Sequence, residues 1–222
     1  MKRIDIPSNL TTLAYNSIRE YILQGRLDET SRLTEDFLSG QLGISKSPVR
    51  EALNRLEAEG LIRIEPRKGA YLRRLTELEI NELYDTREAL EAHVVRTANL
   101  TPGLLAELRQ CLKRQRALLK ANDKPHYIQE DVQFHALLAQ ATGNGFLCSV
   151  LANIQNQIWL SRRKTYDLSS STAPDYHAAI VKALEEGSLD DAERVMREHV
   201  QTVRQRLLQF METQETAGVA NS

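Results

Sequence analysis

Between residues 34 and 58, two helical stripes stand so close in the chain that only one tight turn fits between them. Thr34 is a good N-cap, Glu35 and Asp36 suit the positive end of the helix dipole, and Phe37, Leu38 and Leu42 carry a short helix to Gly43. A second helix opens at once in Ile44-Ser45-Lys46-Ser47-Pro48-Val49-Arg50-Glu51. Ser45 or Ser47 can cap it, and Pro48 is tolerated only in its first turn. Val49, Ala52, Leu53 and Leu56 recur at helical spacing and turn Lys46, Ser47, Arg50 and Asn54 outward. This spacing predicts a helix-turn-helix over residues 34–58.

The flanks extend the pattern. Leu13, Ile18, Tyr21 and Ile22 predict a helix over residues 11–24, stopped by Gly25. After Gly60, the runs Leu61-Ile62-Arg63-Ile64 and Ala70-Tyr71-Leu72 flank a Pro66-Arg67-Lys68-Gly69 tip and predict a β-hairpin over residues 61–73. Helix, short helix, turn, polar-faced helix and basic hairpin together describe a winged helix-turn-helix. A helix of this kind fits the major groove, its first residues reach base edges, and a basic hairpin grips adjacent phosphates. The competing reading is a small helical domain whose charges are merely solvated.

A formal net charge of −1 for 222 residues looks unsuited to DNA, but the charge is unevenly spread. Residues 1–75 hold 13 Lys and Arg against 10 Asp and Glu, a net of +3, and residues 76–222 hold 16 against 20, a net of −4. Two domains with different partners are expected, dividing near residue 75. Aromatic residues make up only 5%, which weighs against a large sheet. Two cysteines, Cys111 and Cys148, support neither a disulfide framework nor a cysteine zinc site. No signal peptide and no membrane-spanning apolar run is evident, so the expectation is a cytoplasmic chain without membrane contact.

The rear region, residues 76–212, reads as an antiparallel bundle of about six helices, followed by a flexible tail over 213–222. The fold class is thus mainly α. Polar residues that fall on apolar stripes are the informative exceptions. Asp131 and His135 lie four apart on a face with Ile128 and Leu138. His177 shares a stripe with Ile180, Val181 and Leu184, and His199 with Met196, Val203 and Leu207. An unpaired buried carboxylate costs several kcal/mol, so Asp131 needs a cation or strong donors. Each histidine alone could be a satisfied core residue. Together, the four groups favour one divalent metal, zinc first, with nickel, manganese or iron as alternatives. Arg87 interrupts the stripe Ile80, Leu83, Leu90, Val94, and serves either an internal salt bridge or a bidentate clamp for a carboxylate ligand. Arg162 is a second candidate for that ligand. His93 and His126 remain unassigned.

Two stretches carry a resemblance to a known family. Ser45-Lys46-Ser47-Pro48-Val49-Arg50-Glu51-Ala52-Leu53, with Leu56-Glu57-Ala58-Glu59-Gly60-Leu61 and Arg67-Lys68-Gly69-Ala70, closely resembles the DNA-binding domain of GntR-type bacterial transcription regulators. Asp131-x-x-Phe134-His135, Gly143-Asn144, His177 and Met196-x-x-His199 resemble the FCD effector domain of the FadR-like branch. The resemblance implies that Lys46 and Arg50 read bases beside Ser45, that Ser47 touches phosphate, and that Gly69 lets the wing with Arg67 and Lys68 approach the minor groove. It also implies that Asp131, His135, His177 and His199 bind a metal whose coordination a small carboxylate effector completes, with Asn144 nearby. One position departs: family members often carry arginine where this chain has Asp36, and Arg32 is the only nearby substitute for that phosphate contact.

The expectation is therefore a homodimeric regulator, a repressor rather than an enzyme, that binds double-stranded operator DNA under effector control. Two alternatives stay open: a metalloenzyme bundle fused to a DNA reader, and a metal-free bundle that only dimerises. Against an enzyme stands the absence of a His-Glu-x-x-His motif.

Overall fold

The computed structural model describes residues 9–24, 27 and 31–219, without the side chains of residues 9, 160, 162–164, 167–169 and 214–219. Two compact units divide the chain, Met1–Arg74 and Leu75–Ser222.

The first unit begins with helix α1 (Asn9–Leu23), followed by α2 (Glu35–Leu42) and α3 (Lys46–Ala58). Gly25, expected to stop α1, lies outside the described residues. Thr34 caps α2 by accepting a hydrogen bond from the Phe37 amide, and Gly43 ends it at φ 65°, a left-handed conformation that glycine adopts without a Cβ clash. Ser45 is the N-cap residue of α3, yet its side chain makes no capping bond, and Pro48 sits in the first turn. Val49, Ala52, Leu53 and Leu56 are buried, the face that their spacing predicts. On α1 the buried face is Ala14, Tyr15, Ile18 and Ile22, while Leu13 is 52% exposed. Leu13 stands five positions from Ile18, which turns it about 140° away from the stripe.

Strands β1 (Ile62–Glu65) and β2 (Gly69–Leu72) pair antiparallel, with Ile62 opposite Leu72 and Glu65 opposite Gly69. At their tip the Lys68 amide donates to the Glu65 carbonyl at 3.0 Å. Pro66 and Arg67 occupy the centre of this turn, and Arg67 takes φ 64°, as the third residue of a type II turn must. Leu33 bridges to Ala70 through two backbone bonds of 2.8 Å, so the residues before α2 form a third edge of the wing.

Among the described residues, six helices build the second unit: α4 (Glu77–Thr97), α5 (Pro102–Lys120), α6 (Lys124–Gln140), α7 (Gly145–Ser169), α8 (Ala173–Glu185) and α9 (Leu189–Val219). Thr76 and Glu79 form a reciprocal capping box at the start of α4, and Thr101 with Pro102 starts α5. Helix α9 packs along α4 and α8, α5 along α6 and α8, and α6 along α7. Ile80, Tyr84, Leu108, Phe134, Ile158 and Met196 are among the side chains of the shared core. Helix α9 continues past residue 212, where the tail was expected to begin, to Val219. The segment Met211-Glu212-Thr213-Gln214-Glu215-Thr216-Ala217 holds no glycine or proline, and an established helix propagates through it. No described helix is long and apolar enough to cross a membrane.

Candidate metal centre and nucleic-acid interface

Helix α6 presents Asp131 and His135 one turn apart, α8 presents His177, and α9 presents His199. All four are buried, and their ligand atoms lie within 4.8 Å of one another. His177 Nε2 approaches His199 Nε2 to 3.2 Å and Asp131 Oδ1 to 3.8 Å. The rings of His135 and His199 lie nearly parallel, 5.4 Å apart, and Phe134 stacks on His177 at 4.1 Å.

The surrounding hydrogen bonds assign the tautomers. Gln115, on α5, donates its amide to the Glu130 carbonyl at 3.1 Å, which aims Oε1 at His177 Nδ1, 3.0 Å away. His177 Nδ1 must then be the donor, and the Nε2 lone pair faces the centre. His135 Nδ1 lies against the Glu91 carboxylate, so its Nε2 lone pair also faces inward. The His177 lone pair and the Asp131 carboxylate, buried together, are a donor set that asks for a cation, while the His135 lone pair faces Arg87 Nη2. Three imidazoles and one carboxylate fit a divalent transition metal and leave coordination positions open. Glu91 and Gln115 fix His135 and His177 by their Nδ1 atoms, the arrangement that outer partners of metal-bound histidines have.

Arg87 and Glu91 complete the pocket from α4. Arg87 Nε donates to Glu91 Oε1 at 2.7 Å, and Arg87 Nη2 lies 3.1 Å from His135 Nε2. Gln155, on α7, adds a 3.3 Å bond to the same Glu91 oxygen. Burial pushes the Glu91 carboxyl up, but the facing His135 and Arg87 groups outweigh it and bring it down to about 2. Arg87 is fully buried, and its Nη1 has no hydrogen-bond partner among the described residues. Of the two roles considered for Arg87, the internal salt bridge is present and uses one edge of its fork, while Nη1 on the other edge is left over. Every helix of the bundle contributes to this pocket.

Other expected ligand-site residues stand apart. Asn144 is exposed and its Oδ1 caps α7 by accepting from the Leu147 amide at 3.0 Å, so the structure does not gather it into the buried pocket. The Arg162 side chain lies outside the described residues. Sequence reasoning missed Glu91, Gln115 and Gln155. Two had a signal: Glu91 follows Arg87 by four positions, and Gln115 extends the stripe Leu108, Cys111, Leu112. Cys111 is buried within hydrogen-bond reach of the Glu130 carbonyl, and burial raises its thiol to about 12, so it is inert.

On the first unit, the expected reading residues Ser45, Lys46, Ser47 and Arg50 form one exposed edge at the start of α3. Arg67 and Lys68 are exposed at the wing tip, with Lys68 3.3 Å from Glu65. Arg50 is held side-on by Glu35, Nε and Nη2 each donating at 2.7 Å. Lys46 forms an ion pair with Asp36. A planar guanidinium has five N–H groups, so Glu35 leaves the end of the fork for a guanine edge. Gly69 has a structural reason of its own. At φ 111° a Cβ would stand 2.8 Å from the Leu33 carbonyl and 3.2 Å from Arg32 Nε, so the backbone bridge to Leu33 excludes any other residue. Arg32 thus lies over the wing.

Comparison with known proteins agrees with this geometry. Residues 10–72 match the bacterial regulatory proteins of the gntR family, and residues 82–202 match the FCD domain. The transcriptional repressor RspR of Escherichia coli is 27% identical over 202 residues, covering 88% of each chain. The gluconate operon repressor of Bacillus licheniformis is 31% identical over 141 residues, 62% of this chain and 57% of that one. Among solved structures, E. coli McbR/YncC superposes with a TM-score of 0.81 at 23% identity, over 91% of this chain and 98% of that one, which shows a shared fold. Relatives of this kind regulate transcription rather than catalyse a reaction, and the metalloenzyme alternative falls with that. The chain is a transcription regulator that belongs to the gntR family, with a winged helix-turn-helix in front of an FCD domain.

Proposed function

We propose that the chain is a homodimeric repressor of the FadR-like branch whose grip on operator DNA is set by a small carboxylate bound at a metal centre in the FCD domain. One observation carries the ligand half of this reading: Asp131, His135, His177 and His199 converge within 4.8 Å in a buried pocket that also holds the unsatisfied edge of Arg87. Zinc is the first choice of metal, since three imidazoles and a carboxylate suit it; nickel, manganese and iron share the donor preference. A divalent ion there would offer its open positions to a carboxylate oxygen, and Arg87 Nη1 would donate to the same carboxylate.

The front unit supports the DNA half. Lys46 and Arg50 face base edges, Ser45 and Ser47 lie beside them, and Arg32, Arg67, Lys68 and the glycine-tight wing at Gly69 serve the phosphates. Two such units in a dimer would occupy half-sites about one helical turn apart. An effector acts on this arrangement only through unequal affinity for two placements of the DNA-binding units. Repression is favoured by the likeness to the transcriptional repressor RspR and the gluconate operon repressor.

Elemental analysis of the purified protein, joined to a thermal-shift screen of small carboxylates, tests the ligand half. The expected result is about one transition metal per chain and a stabilising carboxylate. His177→Ala should lower metal content and erase the carboxylate shift. Full metal occupancy in that variant, or a metal-free protein after growth in zinc-supplemented medium, overturns the site and leaves the bundle as a dimerisation module.

A further inference from the structure

Both cations that the reading helix offers to DNA are already engaged by carboxylates of the helix before it. Glu35 and Asp36 occupy the first turn of α2, and Lys46 and Arg50 the first half of α3. The two pairs differ in kind. Glu35 meets Arg50 by two parallel bonds and is 31% exposed, a buttress that still leaves the end of the guanidinium to a base. Asp36 meets Lys46 by a single contact and is 77% exposed, beside a lysine 53% exposed. An ammonium carries its whole charge at one nitrogen, so a carboxylate bound there cancels the charge that a phosphate would meet, although two N–H donors stay open. The first helix of a helix-turn-helix crosses the DNA backbone, which brings the first turn of α2 close to phosphates. A carboxylate there repels the duplex while it neutralises the nearest lysine.

We infer that Asp36 is a specificity-determining residue: a charge latch on Lys46 that suppresses phosphate-driven binding to arbitrary DNA. Release of the latch is repaid only on duplexes where Lys46 finds a base acceptor and Arg50 a guanine. On other sequences the broken ion pair and the repulsion of Asp36 are uncompensated. Sequence-independent affinity of DNA readers comes almost wholly from neutralised phosphates, so one acidic residue at this place acts mainly on that component. The +3 charge of residues 1–75 is kept small by the same means. This inference rests on DNA binding by the first unit and not on the metal centre.

The test uses full-length protein and two probes. One is a pool of random-sequence 30-base-pair duplexes; the other is the tightest duplex that the unsubstituted protein selects from a randomised library. Fluorescence anisotropy across a KCl series compares Asp36→Asn, Lys46→Met and the double variant with the unsubstituted chain. Asp36→Asn should bind the random pool roughly three- to fivefold more tightly, gain less on the selected duplex, and steepen the salt slope by about one per protomer. In the Lys46→Met background the gain should largely vanish, because the latch has nothing to hold. An Asp36→Asn variant with unchanged affinity and slope on the random pool overturns the inference. So does a gain that survives intact without Lys46, which would reduce Asp36 to simple repulsion. If the unsubstituted protein binds no duplex even at low salt, DNA recognition by the first unit fails as well, and the two failures are thereby told apart.

Discussion

Arg50–Glu35 on the reading helix and Arg87–Glu91 in the bundle are the same chemical pair, and they do different work because one is wet and the other dry. Arg50 is 61% exposed, its partner 31%. Arg87 and Glu91 are 0% and 2% exposed. In water, exchanging a carboxylate for a phosphate or a guanine edge costs little, so the exposed pair can hold a side chain in place and still release part of it. In the bundle the desolvation of both ions has already been met, and neither can leave without stranding its partner. The exposed pair holds the Arg50 side chain at the solvent face of α3. The buried pair is a fixture that abuts His135 and leaves Arg87 Nη1 without a partner among the described residues.

Truncating the acid of each pair gives the largest expected contrast. Glu91→Ala should lower the stability of the FCD unit by about 3–5 kcal/mol, since it leaves Arg87 buried and unpaired. Glu35→Ala should cost under about 1 kcal/mol in the same urea titration. Equal losses would break the distinction. Next in size, Arg50→Ala should weaken binding to the selected duplex by about 1–3 kcal/mol while binding to random DNA changes less; a uniform loss would make Arg50 a phosphate contact. Glu91→Gln keeps the shape of the pocket but loses the carboxylate behind His135. Metal affinity should fall about 10–100-fold by competition with a chelator, with DNA affinity for random duplex unaltered.

A contrast confined to high pH belongs to Tyr15, buried under α3 with its hydroxyl donating to Glu59 at 2.5 Å. Burial, then the hydrogen bond to Glu59 and its charge, raise this phenol from 10.0 to about 12. The neutral phenol therefore contributes its full stability below pH 10 and loses it as pH rises through about 12. An ultraviolet phenolate titration should show one tyrosine that ionises late, and the late step should be missing in Tyr15→Phe.

Much of this was legible in the sequence where the physics is local. Thr34, Gly43, Pro48 and the stripe Val49, Ala52, Leu53, Leu56 each act on their own few residues, and the helices formed where caps and spacing put them. The buried cluster of Asp131, His135, His177 and His199 was legible for a related reason: a histidine on an apolar stripe is conspicuous, and Asp131 with His135 at i, i+4 shares a face by geometry alone. Leu13 is apolar yet lies about 140° from Ile18 around the helix, so its angle and not its hydrophobicity decides its exposure. Asn144 fits a family pattern in its neighbourhood, and its own short side chain is taken up in capping α7.

By itself, then, the sequence determined the order of elements, the split into a basic reader and an acidic bundle, and which polar groups had to be buried. Those follow from hydrophobic period, capping chemistry and charge, all readable along one dimension. Only the tertiary structure decided who meets whom. Glu91 reaches His135 across 44 positions, Gln115 reaches His177 across 62, and Asp36 reaches Lys46 around a turn. Such meetings are set by helix packing and by side-chain direction, and neither is written in the spacing of residues.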